Sequence, residues 1–390
     1  ARRIIEAAVS PLDRTERVPL ADAGGRVLAE PVVAAGDVPP FSRSAMDGYA
    51  VRASDTAGAS TAGPRPLRCV EQVFTGQMPV WTVGPGECSE VATGAPMPAG
   101  ADAVVMVEET ARGDGDQILI RAAARPGQNI GRQGADIRAG QVVLDPGTWL
   151  SPSRIGALAA LGRPDVQVYR RPTIAILSTG NEVVPPGTPL QPGQIHDINS
   201  YTLAGIVRDH GGVPVLQRAA VDTLDDLSRA VEACLSEDVV VLSGGSSVGE
   251  RDLVLDVMRA KGEVLFHGIA VKPGKPTAFG RMDGRPIFGM PGNPTSCLSN
   301  AYILLVPVLR RLARLPAHLP RTVRLPLGAA VQSVVGRHQF YSVRLDGGAA
   351  MPAFKSSGDI TSLSRADGYI EVPTEVERIE AGTIVDVTLF

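Results

Sequence analysis

The sequence predicts a multidomain fold with a central doubly wound α/β domain, an N-terminal region carrying an inserted β subdomain, and a small barrel-like C-terminal β domain. Three observations lead to this prediction. Residues 171–318 alternate apolar strands with amphipathic helices, which is the pattern of a parallel sheet. Residues 46–137 contain short apolar runs between frequent turn signals, which favours a β subdomain. Residues 319–390 return to strands, so we place domains over residues 1–170, 171–318 and 319–390.

Length and composition are those of a soluble globular protein. The chain has 390 residues, of which 44% are apolar and 20% charged. Its net charge of −3 argues against nucleic acid as a partner. The longest apolar run, residues 301–309, is too short to span a bilayer. No secretory signal is visible, so we predict a cytoplasmic location without a membrane partner. The chain does not begin with Met, which is compatible with a trimmed start.

The N-terminal region is expected to begin with a short amphipathic helix. A double proline at residues 39–40 excludes a regular helix there, and Asp47-Gly48 indicates a turn before a strand. A later helix is predicted from Ser151, as its N-cap, to Gly162. Strands of the inserted subdomain are predicted at residues 66–70, 88–92, 103–108 and 117–120.

The central domain shows alternating strand and helix patterns. Strands are predicted at residues 173–178, 213–219, 238–243 and 286–289, and helices at residues 199–210 and 223–237. Gly211 is placed to end the first helix, and Thr223 with Asp226 resembles a capping box at the start of the second. Strands of the C-terminal domain are predicted at residues 322–325, 340–345, 366–372 and 383–389.

Three loops rich in small and special residues each follow an apolar run. They are residues 244–252, the lysine turn at residues 271–276, and residues 290–296. Ligands of doubly wound sheets bind at the carboxyl ends of the strands, so we expect these loops to form one pocket there.

The first of these loops has a glycine pattern that suits an anion. Gly244, Gly245 and Gly249 lie between a strand and a helix, where backbone N–H groups favour phosphate or carboxylate. Tight turns also use glycine for steric reasons alone. The sequence contains neither a Walker A motif nor a G-x-G-x-x-G motif, so a nicotinamide cofactor has little support.

In the lysine turn, Lys272 and Lys275 flank Pro273-Gly274. Such a turn would hold both ammonium groups on one side, as two point charges for an oxyanion. The alternative is a pair of solvated surface lysines.

The cysteines and histidines point to no metal or nucleophile motif. The histidines show no triad spacing, and no G-x-S-x-G elbow is present. Without a C-x-x-C motif or a Cys/His cluster, neither a zinc site nor a disulfide framework is expected. The four cysteines, which are far apart in the sequence, are Cys69, Cys88, Cys234 and Cys297.

Carboxylates recur in loops beside strands. Any one of them alone is best explained as a helix cap or a turn residue. If the loops converge, some carboxylates would bind a hard cation such as Mg²⁺, which takes oxygen ligands and bridges phosphates. The candidates are Asp47, Asp136, Glu182, Asp222 and Asp252.

A series of motifs resembles the molybdopterin molybdenumtransferase family, which includes bacterial MoeA and the gephyrin E domain. The resemblance runs from about residue 4 to the end of the chain. The motifs are Pro39-Pro-Phe-Ser-Arg-Ser-Ala-Met-Asp-Gly-Tyr-Ala-Val51, Thr93-Gly-Ala-Pro-Met-Pro98, Ser178-Thr-Gly-Asn-Glu182, Gly193-Gln-Ile-His-Asp197, Ser243-Gly-Gly-Ser-Ser-Val-Gly249, Lys272-Pro-Gly-Lys-Pro276 and Gly289-Met-Pro-Gly-Asn-Pro294.

The resemblance implies an elongated, L-shaped protomer, a homodimer, and a central domain like that of the molybdopterin adenylyltransferase. It also implies that adenylylated molybdopterin and molybdate give molybdenum cofactor and AMP, with Mg²⁺ assisting. The substrate's dithiolene sulfurs would hold molybdenum, so no cysteine ligand is needed. Lysines and backbone N–H groups would suit the phosphates and the molybdate oxyanion.

Individual roles follow from the same resemblance. The five candidate carboxylates match catalytic or metal-binding positions, with Asp222 and Asp252 as the metal ligands. The Asp47 loop would complete the pocket of the other subunit. For Thr93 a structural role is equally plausible. Positions that match substrate contacts are Thr93, Gly244, Gly245, Ser247, Gly249, Lys272, Lys275, Pro276, Ser296, Arg344 and Ser357.

Two alternative functions stay open. One is the adenylyltransferase activity itself, because residues 171–315 resemble that enzyme. The other is a non-catalytic scaffold that grips a partner peptide, as the gephyrin E domain does. The adenylyltransferase is also a candidate partner.

Overall fold

The computed structural model describes residues 1–218, 223–244 and 253–390. The chain forms two compact units. The first unit comprises Ala1–Val18, Gly25–Ala29 and Gln167–Phe390, and the second comprises Pro19–Gly24 and Glu30–Val166. The strands Thr15–Pro19 and Asp165–Tyr169 each run across a boundary between the two units.

The second unit is built on a six-stranded sheet. Its strands, in spatial order, are Ala103–Met106, Gly48–Val51, Glu87–Val91, Arg65–Val73, Gln117–Ile120 and Thr110–Arg112. The third and fourth are parallel to each other, and the other neighbours are antiparallel. Because side chains alternate across a strand, one face buries Tyr49, Val51 and Ile118, and the other buries Ala50 and Val104. This sheet confirms the strands predicted for the inserted subdomain.

Shorter elements complete the second unit. They are the 3₁₀ helices Leu20–Asp22, Ala53–Thr56 and Val107–Glu109, the strands Val32–Val33, Arg43–Ser44, Ile130–Gly131 and Val142–Leu144, and the α-helix Pro152–Ala160. Ser151 holds the predicted N-cap position of this helix, but its hydroxyl bonds the Ser153 hydroxyl at 2.8 Å instead of a backbone N–H. Pro152 in the first turn, with its fixed φ, is therefore the feature that favours the helix start.

The first unit contains a six-stranded sheet with apolar clusters on both faces. Its strands, in spatial order, are Val213–Arg218, Thr173–Ser178, Val239–Ser243, Arg285–Met290, Ala278–Met282 and Glu263–His267. The first four are parallel to one another, as predicted. Each of the last two runs antiparallel to the strand before it in this order. The chain reverses at Asp283 and Gly284, whose φ values of 48° and 76° suit a tight hairpin. The doubly wound sheet thus has an antiparallel edge that the predicted pattern did not include.

Helices cover both faces of this sheet. One cluster joins strand residues such as Ile176 to the helices Asn199–Asp209 and Val306–Leu312, and the opposite cluster joins Leu177 to Leu224–Cys234 and Leu253–Lys261. The backbone N–H of Asp226 donates to Thr223 Oγ1 at 3.1 Å, which confirms the predicted cap. The remaining helices here are Arg2–Ala8, Pro294–Asn300 and the π-helical Ala301–Leu305. Within the described ranges, no helix combines the length and apolar character needed to cross a membrane.

The C-terminal residues form a second sheet within the first unit. Its strands are Val271–Lys272, His338–Asp346, Gly368–Val372, Ile384–Leu389, Thr322–Pro326 and Ala349–Pro352. Smaller elements are the strand pairs Val183–Val184 with Ile195–His196 and Val331–Gln332 with Arg378–Ile379, and the helix Thr361–Ser364. The predicted C-terminal strands are confirmed. The unforeseen member is Val271–Lys272, which pairs in parallel with His338 and Gln339. The lysine turn therefore begins in the C-terminal sheet, not at the end of an α/β strand.

His210, directly after the helix Asn199–Asp209, is expected to make stability depend on pH. It is 8% exposed. Burial, followed by the nearby charges of His318 and Arg310, lowers its pKa from 6.5 to about 4. The unfolded chain therefore takes up this proton first, so the stabilisation is complete above pH 6.5 and is lost as the pH falls toward 4. Between about pH 7 and pH 5 the loss amounts to about 2 kcal/mol.

Urea unfolding at those two pH values checks this expectation. The variant His210→Gln cannot take up the proton, so its free energy of unfolding should change less with pH than that of the unaltered chain. An unchanged pH dependence in His210→Gln would contradict the assignment.

Candidate functional site

Three parallel strands of the α/β sheet end together at one edge. Ser178, Ser243 and Met290, the last residues of these strands, are register partners. The next residues stay paired, because Thr179 N–H donates to Ser243 O at 2.9 Å and Gly244 N–H donates to Met290 O at 3.4 Å. The loops after the strands therefore begin side by side, at the carboxyl edge where ligands of such sheets bind.

Asn199 joins two of these loops from the start of its helix. Its Nδ2 donates to Ser243 Oγ at 2.7 Å and to Gly292 O at 2.8 Å. The side chain is buried, and its Oδ1 has no hydrogen-bond partner among the described residues. A buried acceptor without a partner costs about 1–3 kcal/mol. This oxygen is therefore open to a donor from a ligand or from the residues outside the described ranges.

Gly244 is required by the close approach of two strands. Its φ is 102°, and a Cβ there would lie 2.5 Å from Thr179 O. The steric reason for glycine thus applies at this position whatever ligand the loop binds. The other predicted loop residues, Gly245, Ser247 and Gly249, and the predicted metal ligands Asp222 and Asp252, lie outside the described residues.

Glu182 lies in the loop that follows the strand Thr173–Ser178, and it is exposed. Its carboxylate folds back over Gly180, because a Cβ at Gly180 would lie 2.6 and 2.7 Å from the two carboxylate oxygens. Gly180, with a φ of 124°, leaves the space that this carboxylate occupies. The structure therefore places one predicted carboxylate on a loop at the carboxyl edge of the α/β sheet.

The lysine turn is anchored by a buried amide. Asn300 Nδ2 donates to Gly274 O at 2.8 Å and to Thr277 Oγ1 at 2.6 Å, and Thr277 Oγ1 donates to Gly274 O at 3.0 Å. Asn300 is 0% exposed, and its Oδ1 has no partner among the residues that the structure describes. The anchored carbonyl lies between Lys272 and Lys275 in the sequence, so this contact holds the backbone that carries both lysines.

The two lysines differ in exposure. Lys272 is half-buried and Lys275 is exposed. The carbonyl of Lys275 accepts from Ile269 N–H at 3.0 Å and from Thr277 N–H at 2.9 Å, so the backbone is held on this side too. Pro276, which follows Lys275, is half-buried. An ordered turn with two ammonium groups is chemically suited to an oxyanion.

Ser296 and Ser357 are brought to the start of one helix. Asn293 Nδ2 donates to Ser357 Oγ at 3.0 Å, and Thr295 N–H donates to Ser357 O at 3.2 Å. Ser296, the next residue of the helix Pro294–Asn300, is buried. Two positions predicted for the same ligand, distant in sequence, therefore meet at one helix end.

Arg344, also predicted to contact substrate, makes a different contact. Its guanidinium donates to the Asp346 carboxylate at 2.6 Å. Both side chains are more than half exposed. Exposed pairs contribute about 0–1 kcal/mol, so this one leaves Arg344 able to move toward a stronger anionic partner.

In the second unit, the predicted Asp47 and Thr93 are in contact. Thr93 N–H donates to Asp47 Oδ1 at 2.7 Å, and both residues are exposed. Position 48 requires glycine, because a Cβ there would lie 2.0 Å from Val105 O. The Asp47-Gly48 pair thus needs glycine for strand packing, and the carboxylate fixes the Thr93 loop.

Asp136 lies on an exposed loop of the second unit whose geometry depends on Asp37, a residue that the sequence analysis did not single out. Asp37 accepts from Ala139 N–H at 2.9 Å and from Gln133 Nε2 at 2.8 Å. Both bonds lower the pKa of Asp37, and the bond from Ala139 has the larger effect. The contacts flank Asp136 on both sides, so Asp37 holds the loop that presents it.

The chemistry of these groups favours anion binding more directly than metal binding. Within the described ranges, no three His, Cys, Asp or Glu side chains form a group that could hold a metal ion. The lysine turn, the hydroxyl of Ser357 and the side-chain amide nitrogen of Asn293 are instead suited to oxyanions and phosphates, whereas the free Oδ1 of Asn199 is suited to an N–H or O–H donor of a ligand.

Three family profiles match the chain in succession. The profile described as "MoeA N-terminal region (domain I and II)" matches residues 1–162. The profile "Probable molybdopterin binding domain" matches residues 175–311. The profile "MoeA C-terminal region (domain IV)" matches residues 324–390.

Similar proteins match over nearly the whole chain. Molybdopterin molybdenumtransferase 2 of Mycobacterium tuberculosis is 38% identical over 380 residues, which cover 95% of this chain and 94% of that protein. A molybdopterin molybdenumtransferase of Haemophilus influenzae is 34% identical over 386 residues, covering 97% and 94%. A crystal structure of a molybdopterin biosynthesis MoeA protein from Pyrococcus horikoshii is 40% identical, with a TM-score of 0.84 over 99% of this chain and 97% of that chain.

Proposed function

Because the chain belongs to the MoeA family of molybdopterin molybdenumtransferases, we propose that it inserts molybdenum from molybdate into adenylylated molybdopterin and releases AMP. The chain is a transferase of molybdenum cofactor biosynthesis, and its substrate is molybdopterin. The adenylylated form of the substrate, the release of AMP and the roles of individual residues are the finer parts of the proposal.

The lysine turn is the observation that carries the molybdate part of this proposal. Its backbone is held by Asn300 on one side and by parallel pairing of Lys272 with Gln339 on the other. Molybdate is a tetrahedral oxyanion with two negative charges, so two ammonium groups on one ordered turn match its charge. Charge-assisted hydrogen bonds of this kind are about twice as strong as neutral ones.

The remaining groups suit further contacts with molybdate and with the organic part of the substrate. Ser296 and Ser357 offer hydroxyl groups at one helix end, and Asn199 presents a buried amide at the carboxyl edge of the α/β sheet. The dithiolene sulfurs of molybdopterin hold the transferred molybdenum, so no cysteine of the chain is needed as a ligand. Molybdenum is here the cargo of the reaction, not a resident cofactor.

Mg²⁺ is proposed as the cofactor, with Asp222 and Asp252 as its ligands. Carboxylate oxygens are the donors that Mg²⁺ prefers, and the ion would offset the charge of the substrate's phosphates when bound. Both residues lie outside the described ranges, so the support for this role is the chemistry of the two side chains and the family resemblance. Asp47, Asp136 and Glu182 are proposed as further catalytic carboxylates.

Assembly and location belong to the proposal as well. We propose a homodimer in which the Asp47 loop completes the site of the other subunit. The exposure of Asp47 and its contact with Thr93 give an ordered loop that such a partner could meet. A cytoplasmic location and an interaction with the adenylyltransferase remain predictions from the sequence.

The full-length family match favours the transferase over the two alternatives. An adenylyltransferase would need only the central domain, whereas a scaffold of the gephyrin E-domain type would share the whole architecture and is disfavoured by the names of the relatives. Here the N-terminal, central and C-terminal profiles match in order along one chain, and the full-length relatives are named as molybdenumtransferases.

The test is AMP release from adenylylated molybdopterin with and without molybdate. Lys275→Ala is expected to lower kcat/KM for molybdate about 100-fold, because removing one preorganised donor to a charged group costs about that much. Lys261→Ala is the matched control, because this lysine pairs with Glu232 on the helical surface at 3.0 Å. If AMP release needs no molybdate, the proposed reaction is wrong. If Lys275→Ala behaves like Lys261→Ala, the assignment of the lysine turn fails.

A further inference from the structure

Cys69 and Cys88 lie side by side on neighbouring strands of the second unit. Cys69 belongs to Arg65–Val73 and Cys88 to Glu87–Val91, and the two residues are direct register partners in this parallel pair. Both side chains contact the same apolar cluster, on the face that contains Tyr49 and Ile118. Residues 19 positions apart in the sequence therefore place two thiols next to each other.

The two thiols differ in access to solvent. Cys88 is 0% exposed, whereas Cys69 is half-buried. Cys69 Sγ lies 3.5 Å from Glu71 O, and Cys88 is the residue beside it on the neighbouring strand. Cys69 is thus the sulfur that a reagent reaches first, and Cys88 is the sulfur behind it.

The backbone geometry is compatible with a disulfide. Neighbouring strands are about 4.7–4.9 Å apart, and disulfides bridge Cα atoms that are about 4.4–6.8 Å apart. The register shifts between Cys69 and Glu71, so the strand carries an irregularity directly beside the pair. Such bulges loosen a strand locally, which would help the two sulfurs to reach bonding distance.

The electrostatics separate this pair from the other cysteines. The hydrogen bond from Cys88 lowers the pKa of Cys69 to about 6, and the same bond together with burial raises the pKa of Cys88. Burial raises the pKa of Cys234, and it raises that of Cys297 to about 12. Because the thiolate is the reactive form, Cys69 is the cysteine of this chain best suited to attack a disulfide.

We propose that Cys69 and Cys88 form a dithiol site that exchanges reversibly with low-molecular-weight disulfides. The Cys69 thiolate attacks one sulfur of the small disulfide, which forms a mixed disulfide and expels one small thiolate. Cys88 then gives up its proton and attacks the Cys69 sulfur, which closes the Cys69–Cys88 disulfide and expels the second small thiolate. The protein loses two electrons and two protons, and the small disulfide is reduced to two thiols.

The position of the pair makes the site relevant to the rest of the unit. Cys88 is also the register partner of Val51, on the strand that begins just after Asp47. The strand Glu87–Val91 continues into the loop that contains Thr93. A disulfide would thus link the strand Arg65–Val73 covalently to Glu87–Val91, the strand that leads to Thr93. The proposal does not depend on the function of the Asp47–Thr93 contact.

The test uses the full-length folded protein and oxidised glutathione. After incubation, free thiols are alkylated and the protein is cleaved after glutamate, which separates Cys69 from Cys88 by cuts at Glu71 and Glu87. We expect one pair of peptides joined by a disulfide and released by reduction. Alkylation of Cys69 by iodoacetamide should be at least about tenfold faster than that of Cys234 at neutral pH. Its rate should rise with pH through a midpoint at about 6.

Variants assign the order of the two steps. Cys88→Ser should stop the exchange at a glutathione adduct on Cys69, and Cys69→Ser should leave Cys88 unmodified. Cys234→Ser, which removes a buried cysteine on a helix, should form the Cys69–Cys88 disulfide as the unaltered chain does. The proposal is overturned if the folded chain forms no such disulfide, if a lasting glutathione adduct on Cys69 is the sole product, or if Cys234 and Cys297 oxidise equally fast.

Discussion

Replacing Asp238 by alanine is expected to lower the free energy of unfolding by about 1.5–3 kcal/mol, because a buried carboxylate that accepts several hydrogen bonds is lost while the two arginines beside it keep access to solvent. Asp238 precedes the strand Val239–Ser243 and is 2% exposed. Its carboxylate accepts from the Arg14 guanidinium at 2.5 Å and from Thr173 N–H at 2.9 Å. Arg285 lies 3.6 Å away on a third segment. Without the carboxylate, two guanidinium groups face each other and the Thr173 N–H loses its acceptor.

The change should be measured by urea unfolding, with hydrogen exchange of the strands Thr173–Ser178 and Val239–Ser243 to identify the transition of the α/β sheet. The control is Asp386→Ala, because Asp386 pairs with Arg324 at 3.4 Å with both side chains more than 70% exposed. Such exposed pairs are worth about 0–1 kcal/mol. A loss no larger for Asp238→Ala than for Asp386→Ala would mean that the buried network does not hold the sheet.

Replacing Gly274 by alanine is expected to lower molybdate-dependent AMP release at least about 1000-fold, because both lysines of the turn would move together. Gly274 has a φ of 103°, which L residues rarely adopt. Its new Cβ would lie 2.2 Å from Asn300 Nδ2 and 2.7 Å from Asn300 Cγ. Asn300 is fully buried and bonded to the turn, so it cannot move aside without breaking the bonds that anchor Gly274 O.

Two companion variants separate the collision from the backbone strain. Gly284→Ala also forces alanine into positive φ, at 76°, but has no atom within 4 Å of the new Cβ, so its AMP release should stay near that of the unaltered chain. The double variant Gly274→Ala/Asn300→Ala removes the colliding amide and should recover part of the activity. Full activity in Gly274→Ala would show that the position of the turn does not matter for the reaction.

The loop positions of the candidate site were predictable because they depend on local chemistry. Glycine, proline and lysine clusters mark turns wherever they occur, and the strand ends follow from apolar runs. The structure accordingly shows Asp47 with Thr93, and Ser296 near Ser357. The residues that hold these loops were not predictable in the same way. Asn199 and Asn300 carry no sequence signal, because an asparagine in a helix pattern looks the same whether it is exposed or bonded to a distant loop.

Strand pairing and the cysteines also include features that the local sequence predicts and features that depend on distant contacts. The Asp283-Gly284 hairpin could have been recognised from its turn residues, and it explains the antiparallel edge of the α/β sheet. The pairing of Val271–Lys272 with the C-terminal sheet had no such signal. Cys69 and Cys88 appeared unrelated in the sequence and became neighbours only when their strands aligned.

By itself, the sequence determined the order of strands and helices, the loops that carry special residues, and the family to which those loops belong. These features depend on periodicity, turn chemistry and motif content, which are local properties of the chain. Only the tertiary structure decided which strands pair, which amides anchor the lysine turn, and which thiols meet. Those outcomes depend on contacts between residues far apart in the sequence, where packing and hydrogen-bond satisfaction of the whole fold select the partner.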